Sequence, residues 1–333
     1  MILIKCYNSV NFALPPLAFY CIGGIINKIK TFEAISLKKM LFIMNPFAGT
    51  RKANKYLADI LSLFSQAGYI VITHMTAGPG EGMDVVRQWA SQVDLVVCCG
   101  GDGTLNETIN GVLHSGVQVP IGYIPAGSTN DFAASLKIPT DIMQAAKAIV
   151  EGEPYRYDVG KFGHRYFSYV ASFGVFSKAS YATPQSVKNA LGHTAYVLSG
   201  IQELSQLRTT RMRLELDDEI IEDDFLFGAI SNSTSVGGIL SLDPQQVDMQ
   251  DGRFELLLVR KPRDLAELSE CIQALQSRKY NCKVITFRTA SQVRADAGSL
   301  LSWTLDGERE DADGPVEIQN IHHAISIIRK VTP

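Results

Sequence analysis

Apolar and polar positions follow two different periods in the first half of the chain. From residue 40, short apolar runs of strand length alternate with segments whose apolar residues recur at helical spacing. The runs at 41–44, 69–73, 94–99 and 119–124 are predicted strands. The segments around 57–64, 85–89 and 104–114 are predicted helices. Strands that alternate with helices in this way predict an α/β fold with a parallel sheet covered by helices.

After about residue 150 the pattern becomes rich in strands. Apolar and β-branched runs occur at 165–170, 211–216, 225–230, 254–259 and 284–288, and helices are predicted only at 184–207 and 264–276. This half therefore predicts a second domain built as a largely antiparallel sandwich. A final strand at 324–331 could pair with either domain. The predicted domains are 38–150 and 151–320, followed by a C-terminal strand within 321–333 that could return to the first domain.

Residues 1–37 form a separate N-terminal segment in this interpretation. The apolar stretch from Val10 to Ile26 contains Pro15-Pro16 and Gly23-Gly24, which makes it a poor membrane-spanning helix. We expect an appended or loosely ordered extension, consistent with a translation start near Met40. A peripheral membrane anchor is the alternative.

Composition narrows the function classes. The chain has 333 residues, 46% of them hydrophobic, which is enough for two buried cores. Its net charge of -3 and its scattered basic residues argue against nucleic-acid binding. The six cysteines lack metal-binding spacing, so we expect reduced core thiols and a cytoplasmic protein.

The most informative motif is Gly-Gly-Asp-Gly-Thr-Leu-Asn-Glu at 100–107, directly after a predicted buried strand. Glycines allow successive backbone N–H groups to converge on an anionic oxygen at a helix start. The carboxylate of Asp102 would repel phosphate, so a magnesium ion, a metal-bound water or a sugar hydroxyl explains it better. The motif predicts a nucleotide-polyphosphate site. The alternative is a tight turn whose glycines serve packing alone.

Two further loops follow strands of the same sheet, at 45–51 and 125–132. Because ligands bind at the carboxyl ends of such strands, both loops are candidate contacts, although the second could simply cap a helix.

In the second domain, Asp306 and Glu308 flank a glycine. This acid pair could accept a proton from a substrate hydroxyl or support a metal, and a plain hairpin turn is the alternative.

Together, the motifs at 45–49, 100–107, 125–132, 158–160 and 305–308 resemble, in order and spacing, the bacterial lipid kinases of the diacylglycerol kinase catalytic-domain family. The resemblance implies a parallel-sheet domain like those of NAD kinases and phosphofructokinases, plus a β-rich antiparallel sandwich domain. It implies transfer of the γ-phosphoryl group of ATP to a lipid hydroxyl with Mg²⁺, most simply from ATP to diacylglycerol to give phosphatidic acid.

The resemblance also implies roles for individual residues. Asp306 would be the general base and Glu308 its acidic partner. A structural Mg²⁺ would be held by Asp251, with main-chain oxygens near Asp248 and Arg253. The implied nucleotide-binding positions are Asn45, Arg51, Thr76, Gly100, Gly101, Asp102, Gly103, Thr104, Gly127, Ser128 and Asn130.

Two positions depart from the family pattern. Thr129 stands where a small residue is usual, and the segment 173–176 reads Phe-Gly-Val-Phe where Gly-Phe-Asp-Ala is common. Residues 173–176 and 239–240 could form an apolar lip that meets the membrane surface, but burial in the core is the expected position of each residue taken singly.

The expected location is cytoplasmic, peripheral to the inner face of the membrane, with membrane lipid as the substrate and a homodimer as the default assembly. Two alternatives to lipid phosphorylation remain: an NAD kinase-like kinase with a soluble substrate, and a non-catalytic nucleotide-binding regulator. The motif Leu-Asp-Gly-Glu at 305–308 favours the lipid kinase.

Overall fold

The computed structural model describes residues 37–175, 208–236 and 240–330. Four sequence predictions lie outside this range: the extension at 1–36, the helix at 184–207, Phe176 and Ile239. The side chain of Leu240 is also outside it. Residues Lys38–Pro333 belong to one unit.

The helices and strands of the described residues are numbered in chain order. The helices are α1 Leu57–Gln66, α2 Glu81–Trp89, α3 Asp102–Ser115, α4 Asp131–Ser135, α5 Ile142–Glu151 and α6 Leu265–Ser277. The strands of the first half are β1 Lys38–Met44, β2 Tyr69–Met75, β3 Leu95–Gly100, β4 Ile121–Pro125, β5 Glu153–Phe162, β6 Arg165–Phe167 and β7 Val170–Gly174. Those of the second half are β8 Thr210–Glu215, β9 Ile220–Ser231, β10 Ser235–Val236, β11 Leu240–Ser241, β12 Phe254–Arg260, β13 Ile285–Ala290, β14 Gln292–Asp296, β15 Leu301–Leu305, β16 Glu308–Ala312 and β17 Val316–Arg329.

The first half forms the predicted parallel sheet, with strand order β2-β1-β3-β4. Strands β3 and β4 are buried along their whole length, as expected for parallel strands with helices on both faces. Cys98 and Cys99 of β3 are fully buried free thiols. Because the strands are parallel, the loops that follow β1, β2, β3 and β4 all emerge at one edge of the sheet.

The second half forms the predicted antiparallel sandwich. Strands β7, β8, β9, β12, β13, β15 and β16 pair antiparallel with their neighbours. Trp303 fills the interior, with ring centroids 5.2 Å from Phe162 and 4.9 Å from Phe173. Phe173 is fully buried, so its ring belongs to the aromatic core, as expected for the residue taken singly, and does not form part of a membrane-facing lip.

Strand β17 is longer than predicted and joins the two halves. It starts at Val316 rather than 324, pairs antiparallel with β14 and β5, and pairs parallel with β4 at Ile327 and Ile121. It therefore extends the parallel sheet beyond β4 and continues into the sandwich. Its ladder with β5 is irregular between Ile321 and Ile325.

Candidate active site

The loops after β1, β3 and β4 pack against one another through glycines. A Cβ added at Gly127 would lie 2.6 Å from the Cα of Gly101, and one at Gly49 would lie 2.5 Å from the oxygen of Ala126. Gly49 also has φ +49°, in the left-handed region that favours glycine. The three loops predicted from the sequence are thus in direct backbone contact at one edge of the sheet.

A cleft of about 400 Å³ opens beside these loops. Its wall includes Glu308 from the sandwich half, so both halves contribute to it. The predicted nucleotide-binding residues that line it are Asn45, Thr76, Gly101, Gly103, Thr104 and Gly127. Among the described residues of the wall, the charged side chains are Glu107 and Glu308, both acidic. An anionic ligand in this cleft therefore needs backbone N–H groups and cations to offset the acid charge.

Asn45 and Thr76 are held in place by hydrogen bonds around the end of β1. The Oδ1 of Asn45 accepts from the backbone N of Phe47 at 2.9 Å, while its Nδ2 lies 3.5 Å from the Oγ1 of Thr104. The backbone N of Thr76 donates to the oxygen of Met44 at 2.9 Å. These contacts bring the loops after β1 and β2 up to the start of α3.

Asp102 has a structural partner that the sequence did not indicate. Its Oδ2 accepts from the backbone N of Asp131 at 3.1 Å and its Oδ1 from that of Phe132 at 3.3 Å, so the carboxylate caps the start of α4. An anion is favourable there because the first N–H groups of a helix lack partners within it. The predicted role of Asp102 towards a magnesium ion, a metal-bound water or a sugar hydroxyl stays a prediction, and neither Ser128 nor Thr129 provides the cap. Burial raises the pKa of Asp102.

The last two residues of the glycine motif also reach other elements. The Oε1 and Oε2 of Glu107 accept from the backbone N of Gly80 at 2.7 Å and of Gly82 at 3.0 Å, at the start of α2. The Nδ2 of Asn106 donates to the Oδ2 of Asp306 at 2.7 Å, which joins α3 to the sandwich. The motif at 100–107 thus organises three elements around the cleft.

Asp306 lies in the two-residue turn of the β15–β16 hairpin. Asp306 and Gly307 have φ values of 48° and 89°, the combination of positive angles that tight hairpins require. The hairpin interpretation is therefore correct as a description of the backbone. The side chain is not turned to bulk solvent, because its carboxylate is buried against α3 and the segment before β7.

Backbone N–H groups surround the Asp306 carboxylate. They come from Ser168 at 2.5 Å, Tyr169 at 3.0 Å and Val170 at 3.1 Å, in addition to the amide of Asn106. Burial outweighs these donors and raises the pKa of Asp306 to about 6. The group can therefore exist in either protonation state near neutral pH.

Glu308 lies on the open side of the hairpin. Its side chain is 60% exposed and forms an ion pair with Arg165, which also contacts Glu310 at 2.8 Å. Arg165 was not among the predicted site residues. A single arginine at the start of a β strand carries no motif, so only the fold reveals that it faces both acids.

The remaining predicted nucleotide contacts lie around the loops rather than in the cleft wall. Asn130 folds back on its own loop, accepting from the N of Gly127 and donating to its oxygen, both at 3.0 Å. Arg51 is exposed and its guanidinium lies 5.2 Å from the ring centre of Phe47, a residue of the cleft wall. Gly100 is buried under Thr104, and Ser128 is exposed.

The predicted Mg²⁺ loop contains acids that favour a hard cation. Asp251 accepts from the backbone N of Arg253 at 2.9 Å, and its pKa is raised by burial and by the charges of Asp248 and Asp158. Glu255, which was not predicted, is 1% exposed and its Oε2 is buried without a hydrogen-bond partner. Burial, followed by the charge of Asp251, raises the pKa of Glu255 to about 8. Carboxylate and main-chain oxygens are the ligands that Mg²⁺ prefers, so Asp251 and the backbone of this loop fit the predicted ion.

Comparison with known proteins agrees with this architecture. Residues 39–162 match the diacylglycerol kinase catalytic domain, and residues 169–329 match the YegS C-terminal NAD kinase beta sandwich-like domain. The diacylglycerol kinase of Bacillus subtilis is 32% identical over 88% of this chain and 96% of its own length. That of Staphylococcus saprophyticus is 33% identical over 81% and 89%.

A solved structure gives the same result. The crystal structure of a candidate diacylglycerol kinase from Bacillus anthracis has a TM-score of 0.74 and 26% identity, covering 88% of this chain and 95% of that one. These matches place the chain among the lipid kinases. The chain belongs to the diacylglycerol kinase catalytic-domain family.

Within residues 37–175, 208–236 and 240–330, no helix is long and apolar enough to span a bilayer.

Proposed function

We propose that this protein transfers the γ-phosphoryl group of ATP to the hydroxyl of a membrane lipid, with diacylglycerol as the substrate and phosphatidic acid as the product. The observation that carries the proposal is the contact between Asn106 and Asp306 at 2.7 Å. It links the helix that starts in the glycine motif to the acid pair of the other half. A phosphate donor and a hydroxyl acceptor could therefore meet in one cleft.

The phosphate donor is assigned to the glycine side of the cleft. Gly101, Gly103 and Gly127 leave the backbone accessible, and the start of α3 favours negative charge. Arg51, which lies over the ring of the cleft residue Phe47, could contribute a cation from outside the wall. Mg²⁺ bound with the nucleotide would supply further positive charge for the phosphate oxygens, which the acidic residues Glu107 and Glu308 make necessary.

The proton acceptor is assigned to Asp306. A pKa of about 6 leaves it mainly ionised at pH 7 while keeping it basic enough to accept a proton from the lipid hydroxyl. In this proposal the carboxylate exchanges one of its four hydrogen bonds for the substrate hydroxyl. Glu308, at the entrance, would orient Arg165 and help to hold the ion that accompanies ATP.

The lipid substrate requires an encounter with a membrane. Diacylglycerol resides in the bilayer, so the proposal includes transient contact with the inner face of the membrane. The relatives from Bacillus subtilis and Staphylococcus saprophyticus carry the name diacylglycerol kinase, which supports this acceptor above other lipid alcohols.

The test is transfer of label from γ-³²P-ATP to lipids in mixed micelles. Diacylglycerol, phosphatidylglycerol, a sphingoid base and undecaprenol would be compared, with NAD⁺ as the soluble acceptor. We expect labelled phosphatidic acid, dependent on Mg²⁺. Asp306→Asn should lower kcat by about 100-fold or more because it removes the base. Asp296→Asn, which changes another turn acid on the same lobe, is the matched control.

Each other outcome contradicts a specific part of the proposal. Label in NAD⁺ alone would favour the soluble-substrate kinase. Tight ATP binding without transfer to any acceptor would favour the regulatory alternative. Equal rates for the wild type and Asp306→Asn would show that Asp306 is not the base.

A further inference from the structure

The irregularity in β17 places two consecutive histidines on one side of the strand. Ile321 pairs with Val159 and Ile325 with Tyr157, so four steps along β17 correspond to two along β5. His323 adopts φ 53°, a left-handed conformation that is uncommon for a residue with a side chain. As a result the rings of His322 and His323 stack with centroids 3.7 Å apart, whereas neighbours in a regular strand point to opposite faces.

Both histidines face the carboxylate of Asp158, which is fully buried. Its Oδ1 lies 3.1 Å from the Nδ1 of His322 and accepts from the backbone N of His323 at 2.7 Å. One ligand atom from each of the three side chains lies within 4.8 Å of the others. His322 is half exposed, so an ion can reach the group from solvent.

We infer that Asp158, His322 and His323 form a binding site for a divalent transition-metal ion of the Zn²⁺ class. Two imidazole nitrogens and one carboxylate oxygen are a ligand set that Zn²⁺, Co²⁺ and Ni²⁺ prefer, while Mg²⁺ prefers oxygen alone. The separation of 3.1 Å between Oδ1 and Nδ1 suits two ligands of one ion with bonds of about 2 Å. Three protein ligands leave a fourth position for water.

This site is chemically distinct from the predicted Mg²⁺ loop but mechanically connected to it. The Oδ2 of Asp158 accepts from the backbone N of Gly252 at 2.7 Å, and a Cβ on Gly252 would lie 3.3 Å from the Nδ1 of His322. An ion held by the three side chains would therefore fasten the loop at 248–253 to β5 and β17. We therefore expect Zn²⁺ to raise the Tm of the protein, and this effect does not depend on kinase activity.

The experiment uses the full chain without a histidine tag, stripped with chelator and then dialysed. Zn²⁺ binding is measured by calorimetry in millimolar Mg²⁺, which saturates oxygen sites, and Co²⁺ is added separately to record its visible absorption. We expect one Zn²⁺ per chain, a visible Co²⁺ band of a site with nitrogen ligands, and a higher Tm with Zn²⁺.

The variants are His322→Gln and His323→Asn, the latter because asparagine tolerates positive φ. Each should weaken Zn²⁺ binding about tenfold or more and remove the Co²⁺ band. The controls are His164→Gln, an exposed histidine in the β5–β6 turn, and Asp251→Asn in the Mg²⁺ loop; both should bind Zn²⁺ as the wild type does.

Three results would overturn the inference. They are the absence of saturable Zn²⁺ binding, equal binding by the wild type and both histidine variants, and loss of binding in Asp251→Asn alone. The last would assign the ion to the oxygen loop. Failure of the lipid-kinase assay would leave this measurement unaffected, since it reports binding and Tm only.

Discussion

At the level of single residues, the carboxylate of Asp306 is held between two opposing effects. Four hydrogen-bond donors favour its ionised form, and burial favours its protonated form. Burial prevails and the pKa rises to about 6. A base with this pKa must be ionised to work, so its activity is lost as the pH falls through 6.

We therefore predict that kcat/KM declines about tenfold per pH unit below about pH 6. Asn106→Ala removes one donor to the ionised carboxylate, so the pKa of Asp306 should rise further and the acid limb should move to higher pH. The measurement is a pH–rate profile of both proteins under saturating ATP. An unmoved limb in Asn106→Ala would mean that another group controls the profile.

The contacts that individual side chains make were the feature hardest to predict from the sequence. The glycine motif predicted a phosphate site because glycines have a recognisable backbone chemistry. The partners of Asp102, Asn106 and Glu107 are backbone groups or side chains far away in the chain, and no local pattern encodes them. The same holds for Glu255, whose burial follows from strand pairing and not from its neighbours in sequence.

At the level of elements, the site depends on close contact between the loops after β3 and β4. We predict that Gly127→Ala forces Gly101 away, lowers the unfolding free energy by about 1–3 kcal/mol and weakens ATP binding. Gly103→Ala is the companion variant, because a Cβ there meets nothing within 4 Å. It should keep the wild-type Tm and still weaken ATP binding if phosphate lies against it. Calorimetric titration with a non-hydrolysable ATP analogue and thermal unfolding measure both effects; unchanged affinity in Gly103→Ala would exclude phosphate from that position.

Helix caps offer a second test at this scale. Asp102 caps α4 from a distant position, and Asp141 caps α5 by accepting from the backbone N of Gln144 at 2.9 Å. Replacing either with alanine should cost about 1 kcal/mol, or a Tm decrease of about 2–4 °C. Only Asp102→Ala should also raise the KM for ATP, since α4 begins directly after the loop at 127–130. Equal KM values for ATP in the two variants would show that the cap of α4 does not influence nucleotide binding.

The elements themselves were largely predictable. Strands β1 to β4 and helices α1 to α3 and α6 lie where their apolar periodicity indicated, because buried faces leave a regular trace in sequence. The sequence missed α5, β5 and β14 to β16. The short strands β14 to β16 mix polar and apolar residues, and their pairing comes from distant partners.

At the scale of the whole molecule, the acid cluster at Asp248, Asp251 and Glu255 predicts stabilisation by Mg²⁺. An ion held by Asp251 would offset the repulsion between the carboxylates of Asp251 and Asp248. At a hundredfold excess over Kd, the gain should be about 2.7 kcal/mol, or about 5–10 °C in Tm. Asp251→Asn should abolish the Mg²⁺-dependent rise in Tm. Asp296→Asn should preserve it; like Asp251, Asp296 accepts a hydrogen bond from the backbone N two residues later. Identical shifts in all three proteins would disprove a cation site in this loop.

The sequence also predicted the two-part architecture, but not how its parts are joined. The change from alternating helices and strands to strands alone could be predicted, because it changes the spacing of apolar residues. The length of β17 and its pairing with β4, β5 and β14 could not be predicted, because a strand's partners depend on the whole sheet.

Strand β17 has a consequence for biosynthesis. Ile121 of β4 pairs with Ile327, so the nucleotide half emerges from the ribosome long before the strand that covers its sheet edge. Until then β4 presents open backbone groups to other nascent chains. Completion of that half must therefore await synthesis of β17, about 200 residues after β4, and the phosphate-binding lobe becomes mature only when that strand has been made.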